Sequence, residues 1–249
     1  PSAFTAVGGS MFFTADDGTT GRELWKSDGT AAGTQLLADV RPGTATSGLT
    51  GFRAVAGTLV FIANDGVHGG ELWRSDGTAA GTTVLADLLP GASSSSPTNI
   101  TSFDGALVFT ATNDVGASIF RSDATTAGTG PFVTFTSATS DASPTGLVAL
   151  GGSVLFAATD AAPGTELWKS DGTLQGTVLV KDIDTSGSSS PASLAVHGGL
   201  VYFAATDATA GRELWVSDGT EGGTVRVADI AAGSPSASPD KLTWIGDTL

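Results

Sequence analysis

The chain has 249 residues, 40% of them hydrophobic and only 14% charged, which is enough apolar material for a folded core and speaks against disorder. A net charge of −14 argues against nucleic acid or an anionic membrane surface as a partner, and no apolar run is long enough for a membrane-spanning helix. The absence of cysteine removes disulfides and thiolate metal sites.

In chain order the same unit appears five times. The segment "ELWKSDGTAAGT" begins at Glu23 and returns in altered form at Glu71, Ser118, Glu166 and Glu213, with spacings of 48, 47, 48 and 47 residues. A phenylalanine precedes each copy, with an alanine two residues on: Phe13 and Ala15, Phe61 and Ala63, Phe109 and Ala111, Phe156 and Ala158, Phe203 and Ala205. The fourth copy shows the reading. Leu147–Leu150 is predicted as a first strand and "GG" as a hairpin turn. Ser153–Asp160 is a second strand, apolar on both faces as for a strand covered on both sides. Thr165–Ser170 is a third strand, "DGTLQGT" a turn, and Val178–Ile183 a fourth strand. A Ser/Pro-rich link then leads to the next unit. No stretch carries a helical period. Other first strands are predicted at Phe4–Val7, Phe52, Ile100 and Leu194.

Four strands in 47–48 residues is the size of a β-propeller blade, so the expected fold is an all-β, five-bladed β-propeller over residues 1–241. An open array of β-repeats, or a fragment of a larger propeller, is the alternative. Residues 242–249 read as the start of a sixth repeat, with Leu242–Ile245 a spare first strand able to join a neighbouring copy.

The phrase ELWxSDGTxxGT resembles the ELWxxDGT repeat family of large bacterial proteins. The resemblance covers all five units, four with the full pattern, and implies a secreted or cell-surface, propeller-like array. The turn is also similar to the Asp-box of sialidase-type propellers. Neither resemblance supplies a binding site.

Read as chemistry, Asp28, Asp76, Asp123, Asp171 and Asp218 are structural: each can accept a hydrogen bond from the amide two residues on. Gly29 is placed for a left-handed conformation and Gly33 for a second bend. Trp25, Trp73, Phe120, Trp168 and Trp215 are expected in the core, filling the gaps between blades. Lys26, Arg74, Arg121 and Lys169 are expected to pair with nearby carboxylates. Four further aspartates close the fourth strands: Asp39, Asp87, Asp182 and Asp229.

The candidate ligand residues lie between strands two and three: Asp17, Asp65, Asn113, Asp160 and Asp207. Such oxygen-rich loops suit Ca²⁺, although none has the density of a strong calcium motif; the other reading is an aspartate capping its own turn. These loops lack aromatic residues for stacking on sugars. No nucleophile elbow or phosphate loop is present, and His68 and His197 stand alone. The third copy departs, with Ser118, Phe120 and Ala124 in place of Glu, Trp and Gly. Its Ala124 is expected to change the turn type, since alanine is strained at positive φ. The expected function is a non-catalytic extracellular binding or scaffold module, with neighbouring repeats, further copies of the chain or surface glycans as partners. A lectin-like propeller and a glycoside-acting enzyme with a carboxylate pair are the alternatives.

Overall fold

The structure is a computed structural model that describes residues 1–133, 142–162 and 164–249. Among them are twenty strands in five four-stranded antiparallel sheets, and no helix. The first sheet is β1 (Ser2–Val7), β2 (Ser10–Asp16), β3 (Arg22–Ser27) and β4 (Gln35–Ala38). The second is β5 (Thr50–Val55), β6 (Thr58–Asn64), β7 (Gly70–Ser75) and β8 (Thr83–Ala86). The third is β9 (Thr98–Phe103), β10 (Ala106–Asn113), β11 (Gly116–Ser122) and β12 (Gly130–Val133). The fourth is β13 (Thr145–Leu150), β14 (Ser153–Asp160), β15 (Gly164–Ser170) and β16 (Val178–Lys181). The fifth is β17 (Ala192–His197), β18 (Leu200–Asp207), β19 (Gly211–Ser217) and β20 (Val225–Ala228). Each sheet runs in simple chain order, the blade pattern of a five-bladed β-propeller.

The chain divides into two compact units. One holds Pro1–Ile100, Gly105–Gly116 and Phe120–Gly130; the other holds Thr101–Asp104, Ala117–Ile119 and Pro131–Leu249.

Strand register explains why the phenylalanine and tryptophan of the repeat keep their distance. Phe13 pairs with Trp25, Phe61 with Trp73, Phe156 with Trp168 and Phe203 with Trp215. On the same pair of strands Ala15, Ala63, Ala158 and Ala205 face Glu23, Glu71, Glu166 and Glu213. The small residue leaves room for the glutamate side chain beside it.

The core lies between successive sheets. In the first unit Val7, Phe12, Leu24 and Leu37 pack with Phe52, Leu59, Phe61 and Trp73 of the next sheet. Val60, Leu72 and Leu85 pack in turn with Leu107, Phe109 and Phe120. In the second unit Leu155, Leu167 and Val180 pack with Val201, Phe203 and Trp215. Each large side chain so buried contributes roughly 1.5–3 kcal/mol. Trp73, Phe120 and Trp215 are therefore core residues as expected, whereas Trp25 and Trp168 are only half-buried.

Cross-links between sheets differ from the sequence expectation. The ammonium of Lys26 donates to the carbonyl of Gly77 at 2.6 Å, and that of Lys169 to the carbonyl of Gly219 at 2.8 Å. Both lysines reach a backbone oxygen in the next sheet's turn instead of a carboxylate.

Residues 242–245 do not form a strand. Ile245 and Thr248 make one isolated bridge across the Gly246–Asp247 turn. The segment is not loose, because Trp244 stacks on His197 with ring centroids 4.0 Å apart and meets Tyr202 edge-on at 5.0 Å. Strand β1 keeps its place beside β2.

Candidate functional site

Every recurring polar residue of "SDGTxxGT" has a bond to make. Asp28 Oδ1 accepts from the Thr30 amide at 2.9 Å and the Thr30 hydroxyl at 2.7 Å. Thr30 Oγ1 accepts in turn from the Gly33 amide, and the Thr34 hydroxyl donates to the Thr30 carbonyl. Ser27 Oγ accepts from the Gly29 amide. The aspartate bond recurs at Asp76, Asp123, Asp171 and Asp218. Gly29 has φ +93°, as expected. Gly33 does not bend the chain by positive φ; a Cβ there would overlap the Asp28 carboxyl, so it is glycine for space. Ala124 also corrects the expectation. It keeps the glycine's conformation at φ +70°, and the aspartate turn survives around it, with its methyl buried among Leu85, Phe109 and Phe120. Burial of that methyl offsets part of the backbone strain.

The motif glutamates form a second device. Glu23, Glu71, Glu166 and Glu213 are fully buried. Glu23 accepts from the amides of Val40 at 2.9 Å and Ser47 at 3.0 Å, the two ends of the link to the next sheet. Glu71 holds Leu88 and Ser95 in the same way, and Glu166 holds Ile183 and Ser189. The hydroxyls of Ser95 and Ser189 also donate to their glutamates. Burial pushes the Glu23, Glu71 and Glu166 carboxyls above their ordinary value, against the pull of these donors. In Glu213 burial pushes the same way, but the amides of Ile230, Ala237 and Ala231 outweigh it and the carboxyl falls. The third copy has Ser118 at this position, a side chain with one oxygen and a shorter reach.

The five candidate ligand residues each serve their own loop. Asp17 Oδ1 accepts from the amides of Thr20 and Thr19, both at 2.8 Å, which hold its carboxyl far below the usual range. Asp65 accepts from Val67 and His68 and pairs with the His68 ring at 2.7 Å. Asn113 accepts from Val115, and Asp160 from Ala161. Asp207 accepts from Thr209 and Ala210 and pairs with Arg226 at 2.9 Å. None shares a hydrogen-bond partner with another among the described residues. Among those residues no three His, Cys, Asp or Glu side chains gather closely enough to hold a metal. Pro163, in the fourth of these loops, lies outside the described residues.

The first unit also holds a pocket. It has a volume of about 330 Å³ and is lined by Ala38, Asp39 and Val40, at the end of β4, and by Trp73, Ala79 and Thr82 of the next sheet. Asp39 Oδ1 and Trp73 Nε1 are buried with no hydrogen-bond partner, as are Asp87 Oδ1 and the indole nitrogens of Trp25, Trp168 and Trp244. Asp182 Oδ1 and Trp215 Nε1 repeat this in the second unit. A sequence signal exists: a terminal strand aspartate followed 33 or 34 residues later by the motif tryptophan of the next repeat.

No protein-family model matches the chain, and no curated protein does either. Its fold is similar to solved structures. Puromycin hydrolase, as the S511A mutant complexed with PGG, aligns with TM-score 0.57 and 17% identity over 95% of this chain and 38% of that one. A second puromycin hydrolase structure aligns with TM-score 0.54 and 18% identity over 94% and 40%. A prolyl endopeptidase structure gives TM-score 0.52 and 14% identity over 87% and 32%. The chain thus spans two-fifths or less of the length of these proteins, and at such identity the likeness is one of fold.

Proposed function

We propose that the chain is a non-catalytic binding or scaffold module, built from ELWxxDGT repeats and belonging to a secreted or surface protein. One observation carries the reading: the carboxylates that recur in the motif are occupied by the protein's own backbone. A catalytic carboxyl must touch the reacting atoms, in a pair with divergent protonation. Glu23, Glu71 and Glu166 are instead buried and aimed at the ends of their own links. The "SDGT" aspartates are aimed at their own turns. Rigid, repeated blades suit a protein that presents surfaces to neighbouring repeats, to further copies of itself or to glycans.

The test is turnover. Chromogenic glycosides probe the carboxylate-pair alternative. Peptide anilides are added because the structures of similar fold include a prolyl endopeptidase. The expected result is no hydrolysis above buffer. Turnover that survives repurification and falls with a single carboxylate-to-amide substitution overturns the proposal. Light scattering with and without residues 242–249 measures whether that segment links copies of the chain.

A further inference from the structure

Successive sheets pack through one repeated joint. Its forward half comes from one sheet, as Phe12, Leu24, Leu37 and Val40 of the first, and its backward half from the next, as Phe52, Leu59, Phe61 and Trp73 of the second. The fifth sheet carries the forward half at the corresponding positions, Tyr202, Leu214, Val227 and Ile230. There Val227 is 48% exposed and Ile230 59%. Leu37, Leu85, Val133 and Val180, at the position of Val227, are buried, and so are Val40 and Ile183, at that of Ile230. The first sheet shows the converse. Its backward half is open at Phe4, 60% exposed, and at Met11, 38% exposed, where Phe52 and Leu59 of the second sheet are buried. Each open face is one half of a joint that the chain makes elsewhere, and each is the complement of the other.

The segment after the fifth sheet keeps the repeat's form. The Ser238 amide donates to the Arg212 carbonyl as that of Ser190 does to the Thr165 carbonyl, both at 3.0 Å. Ser238 and Lys241 hold positive φ, as Ser190 and Ser193 do. The Ile245–Thr248 bridge matches the Val7–Ser10 pair that closes the first hairpin. Trp244 stacks on His197, and the Ser193 hydroxyl donates to the Asp240 carboxylate, which holds the segment beside β17. It stands where the first strand of a following sheet belongs. Ile245 is 81% exposed, although Val7 and Val55 at its position are buried. Strand β1 of the first sheet is itself weakly covered, with Val7 its one buried residue.

We propose that the fifth sheet receives the first sheet of a second copy of this chain, so that copies join head to tail. Strands β2–β4 of the incoming sheet cover Val227 and Ile230 with Met11 and Trp25. Residues 242–249 pair with its β2 in place of its own β1. Leu242 then takes the place of Phe4, Thr243 that of Thr5 and Ile245 that of Val7, so the exchanged strand is alike in kind. The exchange removes apolar surface from water on both copies. A joint between two different faces leaves one of each free, so further copies can add. The proposal rests on the scaffold reading and names its partner.

The experiment follows the full chain by light scattering and sedimentation from micromolar to millimolar protein, in added salt that screens the net charge of −14 on each copy. The mass is expected to rise with concentration, to dimers and longer chains. Met11→Asp places a charge in the first-sheet face and Val227→Asp in the fifth-sheet face. Both positions are exposed in the single chain, so each variant should fold, as its melt will show. Each alone should stay monomeric. An equimolar mixture should give a dimer and nothing longer, because each copy brings one intact face. The strand exchange is read separately. Ala6→Cys with Met11→Cys joins two register partners and, oxidised at low concentration, locks β1 on β2. The chain has no other cysteine. The locked form should be monomeric, and reduction should restore assembly. A wild type that is monomeric at every concentration overturns the proposal, as does self-association of Met11→Asp alone. Undiminished assembly of the locked form overturns it too. Hydrolytic turnover, by contrast, overturns the non-catalytic reading and leaves the joint standing.

Discussion

Replacing Glu166 by alanine should be among the most damaging single changes in the protein. The side chain is fully buried and accepts from the Ile183 amide at 3.0 Å, the Ser189 amide at 2.7 Å and the Ser189 hydroxyl. Alanine leaves two backbone donors and a hydroxyl without an acceptor. At about 1–3 kcal/mol for each of the two amides, with the hydroxyl free to rotate elsewhere, the loss is about 2–6 kcal/mol. For a chain of this size each kcal/mol moves the melting temperature by about 2–4 °C, so a drop of roughly 4–24 °C is expected. Glutamine keeps one acceptor oxygen but turns an NH₂ toward a donor, so Glu166→Gln should fall between alanine and wild type. Glu221, exposed and at a variable position of the motif, is the control: Glu221→Ala should change stability by no more than about 0.5 kcal/mol. The assay is thermal unfolding followed by far-UV circular dichroism and calorimetry. A loss below about 3 °C for Glu166→Ala would refute the clamp.

Other outcomes follow from the same geometry. Gly176→Ala forces a Cβ into the Asp171 carboxyl and should lower the melting temperature, whereas adding it to Asp171→Ala should cost much less; additive losses count against the steric explanation. Burial raises the Glu23, Glu71 and Glu166 carboxyls, so their contribution is full below the unfolded value of 4.5 and is lost as pH rises through the folded values. The lowered turn aspartates do the reverse: their contribution is full above 3.8 and is lost as pH falls through the folded values. The melting temperature should thus be higher at about pH 5 than at about pH 8, by a margin that shrinks in Glu166→Gln; a margin unchanged in that variant refutes the assignment. Asp17, Asp65, Asp160 and Asp207 are engaged by their own loops, so melts in millimolar Ca²⁺ and in chelator should coincide. A Ca²⁺-dependent rise of the size expected for saturating ligand, about 2.7 kcal/mol at a hundredfold excess over Kd, restores the calcium reading.

Much of the fold was legible because the repeat announces its own strands. The second strand of the fourth unit, Ser153–Asp160, matches the expectation residue for residue, since a doubly covered strand reads as an unbroken apolar run. The "SDGT" turn was legible because its bonds are local, from Asp28 to Thr30. The glutamate clamp was not, because its partners lie 17 and 24 residues away and are backbone amides, which carry no residue-type signal. The Lys26 bond escaped for the same reason: its acceptor is a carbonyl 51 residues on. The Asp39–Trp73 pocket was hidden twice over. Asp39 looked like one more strand-end carboxylate, and Trp73 like one more core ring. Their meeting depends on how one sheet packs on the next.

The clamp also bears on how such a chain is inherited. Glu23, Val40 and Ser47 all fall within a single repeat, as do Glu71, Leu88 and Ser95, and Glu166, Ile183 and Ser189. A duplication that copies one period carries the glutamate and both its amides together, and a deletion of one period removes all three. Neither event strands a buried charge. The lysine bonds and the pocket behave oppositely, for each needs residues from two successive repeats. A gain or loss of whole periods therefore preserves the internal wiring of every blade while creating or erasing the joints between them. Stability then grows with the number of neighbours, and the count of repeats can drift without any blade being redesigned.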